Sequence, residues 1–136
     1  MKKWVVFLIL SVGFCITNVS CIKESSTFHR SVMVTNKTES AVYWAFAWGQ
    51  NWDQEVPARR DTFKVLPNET KEISILYGAS SIEGMMLGKM KVFFLDADIL
   101  DKLPVGRVPI ESVLGSRIYT LEEIRAINFH FCFPFE

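Results

Sequence analysis

The apolar positions of this chain follow one pattern at its start and another through the rest. Residues 4–16 form a predominantly apolar run, WVVFLILSVGFCI, whereas later stretches alternate between apolar and polar side chains. Alternation with a period of two is typical of β-strands that bury one face. The pattern therefore predicts a short apolar segment followed by a β-rich domain.

Strand-like stretches recur between turn residues. Residues 31–36 are rich in β-branched side chains, and residues 41–48 alternate, which places their large aromatic side chains on one face. Because these two stretches are separated only by turn residues, they are predicted to form a hairpin. Further strands are predicted at residues 62–66, 71–77, 89–95 and 128–135.

One helix is indicated near the C-terminus. Thr120 and Glu123 have the spacing of a capping box, in which a hydroxyl and a carboxylate bond the first amides of a helix. The helix is predicted to be short and to end near Ile127. Many short strands with one short helix predict a mostly β fold, a small antiparallel immunoglobulin-like β-sandwich.

The first twenty residues have the three parts of an export signal. Lys2 and Lys3 precede the apolar run, and a polar segment follows it. The run is too short for a membrane span, which needs about 20 mostly apolar residues. Ser20 followed by Cys21 fits the end of a bacterial lipoprotein signal, in which the Cys thiol is lipidated and becomes the first residue. Asn18 stands where such signals usually carry Leu, so cleavage that leaves Cys21 free and a retained anchor remain as alternatives.

This interpretation divides the chain into a signal peptide at 1–20, a lipid-anchored tether at 21–30 and a β-sandwich domain at 31–136. Two cysteines remain after cleavage, Cys21 and Cys132. If Cys21 is lipidated, Cys132 is predicted to be a buried lone thiol, whereas a disulfide between them requires an unmodified Cys21. The expected location is the cell envelope, as an outer-membrane lipoprotein that faces the periplasm or the cell surface.

The charge of the chain argues against one class of partner. Its 15 Lys and Arg residues balance 15 Asp and Glu residues, and no basic stripe is present. Nucleic acid is therefore not an expected partner. The expected partners are the membrane, through the lipid anchor, and an envelope protein or a glycan.

Neither a metal nor another cofactor is expected. His130 and Cys132 share one face of the last predicted strand, but a metal site needs three or four ligands, and the other His, His29, falls in the tether. Asp96 and Asp101 belong to an acidic segment that lacks the Gly and Glu of a calcium-binding loop. The Asp side chains are predicted to cap backbone amides instead.

Aromatic side chains are the candidates for ligand contact. Trp44, Phe46 and Trp48 form a stripe that is more typical of a core face than of a binding platform. Trp52, in a polar loop, and Tyr43 are the residues predicted to stack on a ligand such as a sugar ring.

No catalytic residues are predicted. The chain contains neither a Gly-x-Ser-x-Gly elbow nor a phosphate loop. Asn36 and Asn68 each begin a glycosylation sequon, but both fall at predicted turns, where Asn is common. The bacterial character of the signal peptide gives these sequons little weight.

Four stretches carry a family resemblance: VMVTNKTESAVYW, VLPNETKEISI, KVFFLDADIL and YTLEEIRAINFHFCFPF. In this order they resemble a family of small lipoproteins of Gram-negative gut bacteria. Its members have a lipobox, an Asn-containing first strand, a Pro-Asn turn and a closing Tyr-Leu-acidic segment before an aromatic strand. The resemblance covers nearly the whole mature chain and implies a compact, mostly β domain on a lipid anchor. It brings no catalytic or ligand residues with it.

The expected function is therefore that of a non-enzymatic envelope lipoprotein that acts as a binding or assembly module. The alternative is a carbohydrate- or small-ligand-binding domain that uses loop aromatics. An exposed aromatic cluster beside polar side chains favours the second interpretation.

Overall fold

The computed structural model describes residues 28–49, 56–75 and 80–136. The strands within these ranges are β1 Ser31–Asn36, β2 Val42–Trp48, β3 Lys64–Val65, β4 Thr70–Ser74, β5 Lys89–Asp96, β6 Val113–Thr120 and β7 His130–Phe133. The helices are α1 Ile82–Met85, α2 Ala97–Leu100 and α3 Leu121–Ala126, and 3-10 turns lie at Asp61–Phe63 and Ile110–Ser112. The expectation of a mostly β fold is confirmed, with α1 and α2 in addition to the predicted helix.

The strands form two sheets that share one core. The first sheet has the order β4–β1–β7, and the second has the order β3–β2–β5–β6. Most neighbouring strands are antiparallel, but β1 and β7 are parallel. The prediction of an antiparallel sandwich is therefore wrong for this one pair, which joins the first strand to the last.

β1 and β2 do not form the predicted hairpin, since they lie in different sheets. The side chain of Asn36 explains how the chain leaves the first sheet. Its Oδ1 accepts hydrogen bonds from the amide and hydroxyl of Thr38 at 3.0 and 2.7 Å. Its Nδ2 donates to the carbonyls of Ser40 and Leu66 at 2.7 and 3.2 Å. These bonds hold a corner through which the chain passes from one sheet to the other.

The main core lies between the two sheets and is rich in aromatic rings. Trp44 is fully buried, and its ring centroid is 5.7 Å from that of Phe63 and 5.6 Å from that of Phe131. Phe46 and Trp48, farther along the same face, are only partly buried. The interpretation of this stripe as a core face is confirmed for Trp44, whereas the other two rings reach the edge of the core.

The second face of the four-stranded sheet is covered as well. Tyr43, Phe93 and Leu95 are buried there against Leu100 of α2 and Val108 in the connection that follows. A sheet that is buried on both faces needs apolar residues at successive positions, which explains the four successive apolar residues of β5 at positions 92–95. The segment after β5 therefore serves as a cover for this face.

All three helices are short, and each begins at a capping side chain. The Thr120 hydroxyl accepts from the amide of Glu123 at 3.2 Å, and the Glu123 carboxylate accepts from the amide of Thr120 at 2.8 Å, so the predicted capping box is confirmed. Asp96 caps α2 by accepting from the amide of Asp98 at 2.8 Å, as predicted for this acidic segment. Ser81 caps α1. Nowhere in the described ranges does a helix have the length and apolar character needed to cross a membrane.

The first described residues pack against the domain at α1. The ring of His29 stacks on that of Phe129 with centroids 3.8 Å apart, and its Nδ1 lies 2.6 Å from Oε1 of Glu83. The carbonyl of His29 also accepts a hydrogen bond from the amide of Ile82 at 2.7 Å. His29, which was predicted to lie in the tether, is therefore part of the packed domain.

Candidate ligand pocket

A pocket lies beside β2 at the point where the neighbouring strand stops. β3 pairs only with Val42 and Tyr43, so the remainder of this edge of β2 faces no strand in the described part of the chain. Residues 57–63 run opposite this edge and enclose a pocket of about 320 Å³. Its lining consists of Ala45, Phe46, Trp48, Pro57, Ala58, Arg59, Arg60 and Phe63.

Aromatic rings form one wall of this pocket. The ring centroids of Phe46 and Trp48 are 4.7 Å apart, and those of Phe46 and Phe63 are 6.2 Å apart. Phe46 and Trp48 keep part of their surface outside the core. Partly exposed rings of this kind offer a flat apolar surface on which a sugar or an aromatic ligand can stack.

Two arginines contribute positive charge to the pocket. Arg60 is exposed, and its guanidinium carbon lies 5.3 Å from the ring centroid of Phe63. The side chain of Arg59 is only 12% exposed; its Nη2 donates to the carbonyl of Leu103 at 3.1 Å, and its Nε lies 3.7 Å from the Asp61 carboxylate. Because guanidinium groups bind carboxylates and phosphates through paired hydrogen bonds, the lining suits an anionic ligand with an apolar ring.

Tyr43 does not offer the stacking surface that was predicted for it. The residue is 3% exposed, and its hydroxyl donates to Oδ1 of Asp101 at 2.6 Å. The charged ends of Arg59 and Lys64 each lie 5.7 Å from its ring centroid. Burial, followed by the hydrogen bond to Asp101, raises the pKa of Tyr43 to about 12. Alternation along β2 turns this ring toward the covered face of the sheet, and the partly exposed aromatic residues of the strand are Phe46 and Trp48 instead.

Two of the predicted site residues, Trp52 and Cys21, lie outside the described residues. Stacking by Trp52 and lipidation of Cys21 therefore stay predictions. The pocket-lining residues Trp48 and Pro57 flank Trp52 in the sequence.

A second pocket, of about 250 Å³, is lined by residues of β6, α3 and β7. It contains His130 and Cys132, the two residues that share one face of the last predicted strand and could be considered as metal ligands. Nε2 of His130 lies 2.7 Å from the Thr35 hydroxyl, and burial raises the pKa of the Cys132 thiol. A raised pKa keeps a thiol protonated near neutral pH, which weakens it as a nucleophile and as a metal ligand. Cys132 is partly buried and forms no disulfide with any described residue.

The acidic segment after β5 serves a structural role. Asp101 accepts hydrogen bonds from Lys64 at 2.5 Å and from Tyr43, and these bonds, that of Lys64 first, lower the pKa of its carboxyl group. Within residues 28–49, 56–75 and 80–136, no three His, Cys, Asp or Glu side chains converge as metal ligands would.

Arg59 and Arg60 were not singled out from the sequence. Two consecutive arginines after Pro57 carry no spacing motif of their own, and Trp48 was assigned to the core. The usable signal was the end of the aromatic stripe at Trp48, followed eleven positions later by a pair of cations. No family model, curated protein or solved structure matches this chain.

Proposed function

We propose that this chain is a non-enzymatic lipoprotein of the cell envelope, anchored through Cys21, whose β domain acts as a binding or assembly module. The observation that supports a binding role most directly is the pocket beside β2, where Trp48 and Arg60 line one concave surface. Two carboxylates of the second pocket already have partners within the domain. Glu123 accepts a hydrogen bond from the amide of Thr120, and Glu136 forms an ion pair with Lys37. These contacts support a structural role for the carboxylates of that pocket. The proposed location is the outer membrane, facing the periplasm or the cell surface.

The intact mass of the mature protein tests the lipid anchor. We expect loss of residues 1–20 and an added diacyl or triacyl group on Cys21, because stable anchoring needs more than one acyl chain. The Cys21→Ser variant should lack this added mass. An unmodified mature protein would contradict the lipoprotein proposal and would leave a disulfide between Cys21 and Cys132 open.

The pocket also favours the alternative function, binding of a carbohydrate or another small ligand. An acidic sugar combines a ring that can stack on Trp48 with a carboxylate that can accept hydrogen bonds from Arg60. Phe46 extends the apolar surface beside Trp48. In this alternative, Phe46 and Trp48 of β2 hold the sugar ring, and Trp52 keeps its predicted role as an additional stacking residue.

Two sugars that differ by one O-linked lactyl group, which carries a carboxylate, test this alternative. We expect N-acetylmuramic acid to bind about tenfold more tightly than N-acetylglucosamine, because a charge-assisted hydrogen bond contributes about 1.5–3 kcal/mol. Arg60→Gln should remove this difference, whereas Trp48→Ala should weaken the binding of both sugars. Ligand-observed NMR titration of the mature protein measures these affinities.

Arg107→Gln provides the matched control, since Arg107 is an exposed arginine in the connection after α2 and does not line the pocket. Its affinity for both sugars should equal that of the unchanged protein. Equal affinity of the unchanged protein for the two sugars, or an Arg107→Gln effect as large as that of Arg60→Gln, would contradict the proposed role of Arg60.

We also propose that the two-sheet fold is immunoglobulin-like. It is supported by two sheets of three and four strands that pack around one core. An experimentally determined strand order with immunoglobulin connections would support this relationship, and a different order would leave only the two-sheet architecture.

A further inference from the structure

The chain enters the domain next to α1. His29 bonds to Ile82 and Glu83, which are the first two residues of that helix. Leu87 lies two positions after Met85, the last residue of that helix. Seven peptide bonds separate Cys21 from Phe28, so even a fully extended chain places the Cys21 backbone no more than about 25 Å from Phe28. The end of the domain near α1 is therefore within reach of any group attached to Cys21.

Apolar side chains are exposed at this end of the domain. Met85 is 46% exposed and Leu87 is 75% exposed, whereas Ile82 and Met86 of the same segment are fully buried. Lys89, just beyond them, is also exposed. We call Met85, Leu87 and Lys89 the α1 tip. Apolar side chains beside a lysine match the interface of an anionic bilayer, where acyl chains lie below negatively charged phosphates.

Leu87 has a backbone conformation that favours glycine. Its φ is +48°, and it directly follows Met86, the C-terminal cap of α1. Helices commonly place Gly or Asn at this position, because a Cβ atom is strained in the left-handed region. Neither backbone preference nor core packing accounts for a large apolar side chain here.

We propose that the α1 tip docks into the lipid surface that holds the acyl groups of Cys21. This inference rests on the proposed lipid anchor. The anchor keeps the tip at a high effective concentration next to the bilayer, so a small apolar contact is sufficient to hold it there. Lys89 pairs with lipid phosphates in this arrangement. Docking orients the domain with α1 toward the membrane, rather than leaving it to rotate freely on the tether.

Hydrogen exchange of the mature lipoprotein tests the docking. The protein is reconstituted in vesicles of phosphatidylethanolamine and phosphatidylglycerol, and the Cys21→Ser chain mixed with the same vesicles serves as the unanchored reference. We expect the amides of residues 84–89 to exchange at least about threefold more slowly in the anchored protein. Leu87→Gly should remove this protection and keep the fold, because Gly adopts a positive φ without strain. The rates are compared within each variant, so changes in intrinsic exchange cancel.

Ile110→Asn is the matched control. Ile110 is as exposed as Leu87, at 75%, but lies in the 3-10 turn before β6. This variant should keep the protection of residues 84–89. Equal exchange of these residues in the anchored and unanchored proteins would overturn docking while an acylated mass upholds the anchor. An unmodified Cys21 in the mass spectrum of the same sample would overturn both proposals.

Discussion

Replacing Asn36 by Asp is expected to lower the free energy of unfolding by about 2–4 kcal/mol. The Asn36 side chain is fully buried, and its Nδ2 donates to the carbonyls of Ser40 and Leu66. Asp has the same shape but no N–H group, so the substitution turns these contacts into repulsion between oxygen atoms. The corner between the two sheets depends on these bonds, which makes the expected loss large for a single polar side chain.

Urea unfolding followed by tryptophan fluorescence measures this loss. Asn68→Asp is the matched control, because Asn68 also begins a sequon but is exposed at a turn. Its unfolding free energy should change by less than about 1 kcal/mol. Similar losses in both variants would show that the buried bonds of Asn36 do not hold the corner. The same burial means that the Asn36 amide is not accessible for glycosylation in the folded domain.

Trp44→Ala is expected to be the most destabilising single substitution, with a loss of about 3–5 kcal/mol. Trp44 is fully buried and contacts rings from β7 and from the 3-10 turn before β3. The substitution opens a cavity where the two sheets meet. Because small domains have an unfolding free energy of about 5–15 kcal/mol, a loss of this size removes at least about a fifth of the stability and is expected to lower the denaturant midpoint clearly.

Two substitutions separate this cavity effect from a general effect of removing tryptophan. Trp44→Phe should cost clearly less, since it keeps an aromatic ring and Nε1 of Trp44 has no hydrogen-bond partner to lose in the described part of the chain. Trp48→Ala should also cost less, because Trp48 is only partly buried. Guanidinium unfolding followed by circular dichroism compares the three variants. A Trp48→Ala loss equal to that of Trp44→Ala would refute the placement of the core at Trp44.

Local sequence rules predicted the individual helices and strands of this fold better than they predicted which strands pair with each other. The capping box at Thr120 and the cap at Asp96 depend on bonds within four residues, and both were predicted correctly. The alternation of β2 also placed Trp44 on the core face. These features follow from the short-range geometry of helices and strands, which a single sequence contains.

The pairing of strands could not be predicted in the same way. The hairpin between β1 and β2 was expected because the two are close in sequence, but Asn36 directs the chain away from the first sheet. Its partners Val65 and Leu66 lie about thirty positions along the chain. A buried amide with distant partners has no sequence signal, since Asn is common at any turn.

The candidate pocket was predicted in part. The sequence directed attention to aromatic residues around β2, yet it favoured Tyr43, whose face of the sheet is covered by Leu100 and Val108. That cover comes from a part of the chain, residues 97–108, in which no strand or helix was predicted. Arg59 and Arg60 reach the pocket because residues 57–63 take the place of a neighbouring strand, which is a tertiary arrangement.

The parallel pair of β1 and β7 has a consequence for the order of folding. β1 is the central strand of its sheet, yet the hydrogen-bonded side chains of Thr35 and His130 are 95 positions apart in the chain. Ribosomes add about 5–20 residues per second, so β1 is synthesised roughly 5–20 seconds before its parallel partner. Contacts of such long range also form slowly, because loop closure costs entropy before the contacts compensate for it. Pairing of β1 with β7 therefore has to wait until β7 has been synthesised, so the sheet around β1 is expected to be completed late in folding.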